Sequence, residues 1–367
     1  MHTYIHAMEI ASCYLEGNAD AVEFCPHDPF LHIFAAATYT LHEKGESESH
    51  RAGTISLFSC SPLSTDSGDD ASDTGLQLLH REETPGIFDI KWSPAGEGSG
   101  SACQPLLALA DADGFLSIRE LQADVANGNK GISLKEICNE KVSSSMCLYV
   151  DWRQSGDSLS VSLSDGSVSL ISFTESELKV SQSWVAHKFE AWTTNFDIFN
   201  PHLLYSGSDD CCFCCWDTRQ NPSLPVFRNS KSHTMGVCCI SQSTSNPNML
   251  LTGSYDESLR VWDIRSSSKP LTEKSICLGG GVWRIKPHPY ISDIVIAACM
   301  HNGFSVVKVG GEREEVLVLE RYEKHGSLAY GVDWMKGENA RNDSIVASCS
   351  FYDRLLRVWK PQCLGKS

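Results

Sequence analysis

Positive charge is scarce in this sequence: 30 Lys and Arg stand against 46 Asp and Glu, a formal net charge of −16. Nucleic acid and anionic membrane surfaces each ask for a basic footprint. Neither is expected as the main partner, and a local basic groove is the one arrangement the balance leaves open. Long apolar runs are missing too. The longest, Ile294 to Met300, falls far short of the roughly 20 residues that cross a bilayer. The opening residues, MHTYIHAMEIAS, hold neither a basic segment nor a continuous apolar one, so they do not read as a secretory leader. A Gly-x-Ser-x-Gly elbow is absent, and so is a glycine-rich phosphate loop followed by Lys. Neither an α/β-hydrolase serine nor a P-loop nucleotide site is signalled, and no cofactor is expected.

Cysteine, by contrast, is plentiful, with 16 residues. Their spacing is not that of a disulfide scaffold, and 367 residues bury a core without cross-links. The expectation is a soluble, cytoplasmic protein with free thiols. The run Cys211-Cys212-Phe213-Cys214-Cys215 contains Cys-x-x-Cys twice. On a strand, residues three apart point to opposite faces. Such pairs cannot chelate zinc from one strand, and no second Cys or Cys/His set completes a site, so no metal is expected.

Length alone suggests about two domains, although closed all-β folds often exceed that guideline. Repeats decide the matter. HKFEAWTTNFDIFNPHLLYSGSDDCCFCCWDTR (His187 to Arg219) aligns with HTMGVCCISQSTSNPNMLLTGSYDESLRVWDIR (His233 to Arg265). The spacing from His187 to Asp210 equals that from His233 to Asp256, and Asp210 to Trp216 equals Asp256 to Trp262. Weaker copies extend both ways, giving seven units at approximately 20–58, 87–121, 147–173, 187–217, 233–263, 280–309 and 325–361. Each is built from short, β-rich, turn-bounded runs.

This pattern resembles the WD-repeat β-propeller, in which each unit is a four-stranded blade around a central channel. The resemblance implies an all-β, seven-bladed propeller forming a single domain over 1–367. Residues 1–19 are expected to supply an outer strand that closes the ring on the last blade. An acidic, flexible loop is expected at 61–80, where SPLSTDSGDDASDTG is poor in apolar residues. Flexible turns are expected at Ala95 to Gln104 and Lys336 to Ser344. In this family the His before the first strand bonds the Asp of a later tight turn, and a Ser or Thr and the Trp extend the network. His187, Asp210 and Trp216, and likewise His233, Asp256 and Trp262, are thereby given structural roles, with His325 and Asp353 as a version in the last blade.

Propellers bind at the channel mouth. The residue before each tight-turn Asp and the start of each innermost strand lie near it. Those positions hold Asp209, Tyr255, His301 and Tyr352, and Glu190, Trp192, Trp283, Arg284 and Tyr330. Trp192 and Tyr330 have an alternative reading as packing between blades. The segment Gly279-Gly280-Gly281-Val282-Trp283-Arg284 replaces the Gly-His start of the neighbouring units. Its glycines let backbone or ligand approach closely, and it presents Trp283 and Arg284 to the mouth.

HKFEAW (187–192), HTMGVC (233–238), TGSYDE (252–257), GGVWRIKPHP (280–289), AACMHNGF (297–304) and SCSFYD (348–353) together are similar to the WD-repeat diphthine methyl ester esterases of diphthamide biosynthesis. The resemblance implies a protein substrate, elongation factor 2 carrying methylated diphthine, and hydrolysis of one methyl ester. Diphthine carries a trimethylammonium group, which aromatic faces attract. Trp192, Tyr255, Trp283, Tyr330 and Tyr352 are the expected substrate-binding residues. Ester hydrolysis needs an activated water and a stabilised oxyanion. His301 is assigned as general base, Arg284 as oxyanion stabiliser, and Asp209 or Glu190 as the group that orients the base or the cation. His187 or His233 is the alternative base.

Two other readings stand beside this one. One is a non-enzymatic scaffold, since fold does not fix function. The other rests on Trp216–Arg219 and Trp262–Arg265, which resemble the Trp-Asp-x-Arg box by which substrate receptors of cullin ubiquitin ligases dock an adaptor. A monomer is expected.

Overall fold

The computed structural model describes residues 7–44, 48–60, 75–95, 104–126, 129–220, 222, 224–266, 270–310, 315–337 and 344–365. Every regular element in it is a strand. The strands form seven antiparallel sheets, arranged as a seven-bladed propeller. Two of the innermost strands, Ala19–Phe24 and Cys147–Trp152, are buried at every position. A strand lodged between two neighbouring blades has no solvent face, so its sequence does not alternate. Outer strands such as Glu177–Val185 do alternate between exposed and covered positions.

The core lies between blades. Ala21, Ile33, Ile55 and Leu57 of the first blade pack against Ile87, Trp92 and Leu107 of the second. The ring is closed by Met8–Tyr14, which pairs antiparallel with Leu355–Lys360 and completes the last sheet. Closure leaves no pair of open sheet edges at the chain termini.

Six of the seven repeats are longer than the sequence units suggested. Outer strands at Asn129–Lys141, Glu177–Val185, Phe227–Asn229, Leu271–Cys277 and Leu317–Tyr322 follow the units. In the first blade that outer strand is Leu76–Pro85, so residues 76–80 of the expected flexible loop belong to a sheet. Residues 61–74, 96–103 and 338–343, where the remaining loop expectations fall, lie outside the described residues.

The cysteine run packs as apolar surface. Cys214 joins the cluster with Leu170 and Trp216, while Cys215 faces the next interface with Phe213 and Trp262. Adjacent residues thus serve opposite faces, as strand geometry requires.

The polar networks are present. His187 Nδ1 donates to Asp210 (3.1 Å), Ser206 Oγ donates to His187 Nε2 (2.8 Å), and Trp216 Nε1 donates to Ser206 Oγ (2.8 Å). His233, Asp256, Thr252 and Trp262 repeat the pattern. Burial, the largest single influence, would raise both aspartates, but the histidine hydrogen bond, the histidine charge and two backbone N–H donors together outweigh it and hold Asp210 and Asp256 well below the ordinary carboxylate range. In the last blade the link is relayed. His325 bonds Ser350 Oγ (2.6 Å), and Ser350 bonds Asp353. The turn there carries an extra residue, and Ser350 bridges the added distance.

Candidate functional site

The mouth is built by a register slip. In six of the seven innermost strands the pairing skips near the second residue, as between Ala19 and Ala21 or Ala191 and Thr193. Such a bulge bends the strand and re-aims the extra side chain. The skipped positions include Asp20, Phe88, Trp192, Cys238 and Tyr330.

In the remaining blade the triple glycine does the equivalent work. Gly279 has φ +79°. A Cβ on Gly280 would sit 2.1 Å from the Cys299 carbonyl oxygen, and one on Gly281 2.7 Å from Met300 Sδ. Only glycine lets this segment pass so close to the neighbouring turn. Trp283 then stands among the other aromatics.

Those aromatics form a continuous arc. Trp283 stacks on Tyr330 with centroids 4.8 Å apart, and meets Trp192 at 5.5 Å and Tyr255 at 6.1 Å. Tyr330 continues to Phe351 (5.2 Å), Phe351 to Tyr39 (5.1 Å), and Tyr39 to Phe88 (4.6 Å). Trp192, Tyr255, Trp283 and Tyr330 are all half-buried, so each contributes both to packing and to open surface. Trp192 Nε1 donates to Asp209 Oδ1 at 3.3 Å, and Asp209 N–H donates to the Glu190 carbonyl at 3.0 Å, which sets Asp209 and Glu190 on the rim.

Two expected mouth residues sit elsewhere. Tyr255 N–H donates to the Gly236 carbonyl, and the same bond in the last blade is made by Phe351 to Leu328 (2.9 Å). Phe351 therefore fills the mouth position, while Tyr352 is 68% exposed. In the sixth blade the turn bond runs from Asn302 N–H to the Cys299 carbonyl, matching Glu257 to Ser254. Met300 takes the place of Tyr255, and His301 that of Asp256. His301 and Tyr352 instead share a cleft of about 530 Å³ with Glu323, His325 and Ser327. This cleft adjoins the mouth, because Tyr352 touches Phe351 at 4.9 Å.

Arg284 is not at the rim either. It is 6% exposed, pairs with Asp89 at 2.9 Å and lies over the Tyr149 ring at 5.0 Å. It runs across the channel from the sixth blade to the second and third, one layer below the aromatics. Beneath it lies a ring of paired charges, in which Glu23 meets Lys91 at 3.7 Å and Lys286 at 3.3 Å.

Sequence reasoning did not single out Asp20, Tyr39, Phe88 or Phe351. Asp20 is 2% exposed, and its Oδ1 has no hydrogen-bond partner among the described residues. Burial pushes its carboxyl up to about 8, against the opposing pull of Arg284, with Asp89 adding to the rise. Trp283 Nε1, also buried, is likewise unpartnered among the described residues. Among those residues, no cluster of His, Cys, Asp and Glu is placed to hold a metal ion.

Comparison with known proteins agrees with the fold. The WD domain, G-beta repeat family matches residues 225–263. A Mus musculus protein named diphthine methyltransferase is 35% identical over 344 residues, covering 87% of this chain and 68% of its own length. A Dictyostelium discoideum protein named diphthine methyltransferase homolog is 32% identical over 375 residues, covering 95% of this chain and 98% of its own. The Homo sapiens diphthine methyltransferase is 35% identical over 350 residues, covering 87% and 73%. A chain in the crystal structure of a mitotic checkpoint complex superposes with TM-score 0.67 at 15% identity, over 98% of this chain and 94% of that one, and shares the fold alone.

Proposed function

The chain belongs to the diphthine methyltransferase family of WD-repeat proteins, and on that premise we propose that it is a carboxylic-ester hydrolase that removes the methyl ester from methylated diphthine on elongation factor 2. Family membership supports an enzyme of diphthamide biosynthesis. The finer reading, ester hydrolysis on that protein, rests on the mouth. The observation that carries it is the aromatic arc of Trp192, Tyr255, Trp283 and Tyr330. A trimethylammonium gains about 0.5–2 kcal/mol from each aromatic face it meets.

In the reaction, water adds to the ester carbonyl, the C–O bond breaks, and methanol and a carboxylate leave. The histidines of the polar networks are held by two hydrogen bonds each. His301 is exposed in the adjoining cleft and is the better placed general base. Arg284, already engaged by Asp89, supplies a fixed positive charge beneath the site rather than a direct contact. Asp209, fixed by Trp192, orients the cation at the rim together with Glu190. The reading describes a monomeric, cytoplasmic enzyme that needs no cofactor and acts on one large protein.

The test uses elongation factor 2 bearing methylated diphthine and the purified chain. The expected result is the loss of one CH₂ from the intact mass of the modified peptide, with methanol released. His301→Ala is expected to lower turnover by about a hundredfold or more. An unchanged substrate mass would refute hydrolysis, and full turnover by H301A would remove that residue from the mechanism.

A second reading keeps a specific observation. Arg219 and Arg265 have side chains 60% and 64% exposed, and each is bonded to the Asp of its own box. Two such arginines on adjacent blades suit docking of a ubiquitin-ligase adaptor. Adaptor co-purification that is lost in the R219A/R265A double variant would support it, and adaptor capture unchanged by those substitutions would reject it.

A further inference from the structure

We propose that Asp20 is the buried counter-ion of the mouth, so that a quaternary ammonium group entering the aromatic arc is held from below by its carboxylate and displaces its proton. The inference rests on the reading of the mouth as a trimethylammonium site and adds the residue that selects for charge.

Placement comes first. Asp20 occupies the bulged position of the first blade, between Tyr330 of the last blade and Phe88 of the second. The phenols of Tyr39, Tyr255 and Tyr330 are each raised first by burial, with the Asp20 charge a further cause. Three phenols from different blades therefore lie within electrostatic reach of one carboxyl. Its Oδ1 is enclosed and unpartnered among the described residues, although the side chain is almost wholly buried. A native protein rarely leaves such an atom without a purpose.

Charge comes second. The groups that interact electrostatically with Asp20 are Arg284, Asp89, Trp283, the three tyrosines and Cys349. Arg284 is committed to Asp89 at 2.9 Å. With Asp20 ionised, the trio of Arg284, Asp89 and Asp20 carries one uncompensated negative charge. A cation above the carboxylate balances it, and a neutral group of the same shape does not. The indole N–H of Trp283 lies close enough to favour the ionised form without making a hydrogen bond in the free chain, so cation binding brings that donor a charged acceptor.

The linkage has a definite sign. Burial holds the Asp20 carboxyl at about 8 when the mouth is free. A bound cation lowers that value, so below it binding must release a proton. Affinity for a quaternary ammonium then rises with pH, by up to about tenfold per pH unit, and levels off once the free site is ionised. Affinity for a neutral isostere does not follow this course.

The probes are choline and its carbon isostere 3,3-dimethylbutan-1-ol, titrated against the full chain between pH 6 and 9. The expected result is a preference for choline of about tenfold or more near pH 8, a rise in choline affinity with pH, and proton release measured in buffers of different ionisation enthalpy. Asp20→Asn should remove both the pH dependence and most of the preference. On methylated elongation factor 2 the same variant should raise KM while largely preserving kcat. Absence of proton release from the unmodified chain would overturn the proposal without any variant, as would a D20N protein that keeps the pH profile. Turnover of the ester combined with choline binding indifferent to D20N would sink Asp20 and leave the hydrolase reading standing. Charge-selective choline binding without ester turnover would do the reverse.

Discussion

Thr252→Val and Thr194→Val are the same chemical change at two sites that are both 0% exposed, and opposite results are expected. Thr252 Oγ1 stands between His233 Nε2 (2.7 Å) and Trp262 Nε1 (2.8 Å). Valine has the same shape but neither donates nor accepts. Two hydrogen bonds are lost, and two buried polar atoms are left without partners. At about 1–3 kcal/mol for each orphan, partly relieved by local relaxation, the loss is about 2–4 kcal/mol. A chain of this length changes stability by about 0.8 kcal/mol per degree at its midpoint, so Tm should fall by about 3–5 °C. Thr194 Oγ1, in contrast, is buried and makes no hydrogen bond among the described residues. Removing that hydroxyl should be neutral, or stabilising by up to about 1 kcal/mol. Calorimetry or urea unfolding of both variants reads the difference directly. Equal losses at the two sites would show that packing around threonine, rather than the His–Asp–Thr–Trp network, carries the stability of the fifth blade.

Two further outcomes follow from the structure. Burial pushes His325 down to about 3 and His288 down to about 4, below the ordinary imidazole value near 6.5. The folded chain thus binds fewer protons than the unfolded chain in that window. The stability these groups contribute is fully present above about pH 6.5 and is lost as pH falls toward their folded values. The urea midpoint should drop between pH 7 and pH 5, and less steeply in His325→Gln; a flat midpoint would contradict the buried neutral imidazole. Removing residues 1–14 deletes the closing strand and exposes the edge Leu355–Lys360. Size-exclusion chromatography should show self-association or aggregation with a lower Tm, whereas a monomer of unchanged Tm would mean the ring does not depend on this closure.

The propeller was legible because two repeats kept their spacing without insertions, and because buried polar partners leave a fixed sequence interval. His187 to Asp210 and His233 to Asp256 are such intervals, and both pairs bond as expected. The site was less legible where a turn departs from that interval. In the sixth blade the turn Cys299-Met300-His301-Asn302 has no Asp to count from, so His301 was placed one residue too near the mouth. In the last blade one added residue shifted Phe351 into the position expected for Tyr352. Asp20 left no periodic signal at all. It lies in the most diverged unit, and its meaning comes from Tyr39, Tyr255 and Tyr330, which are distant in sequence.

Arg284 explains why the mouth can act as a closed cup rather than a pore. The residues that follow the mouth positions differ in size around the channel. Ala21, Thr193 and Gly331 are small, and they leave room for the guanidinium to reach from the sixth blade to Asp89 and over Tyr149. A Cβ on Gly331 would meet Cys349 Sγ at 2.6 Å, so that position cannot be filled from the last blade without displacement. A long cation crossing a gap left by small neighbours separates the aromatic layer above from the charged ring below. That separation is what gives Asp20 its character. Burial raises its carboxyl, Arg284 pulls against that rise, and Asp89 adds to it. With the pair in place, Asp20 stays buried beside a guanidinium that is already engaged by Asp89.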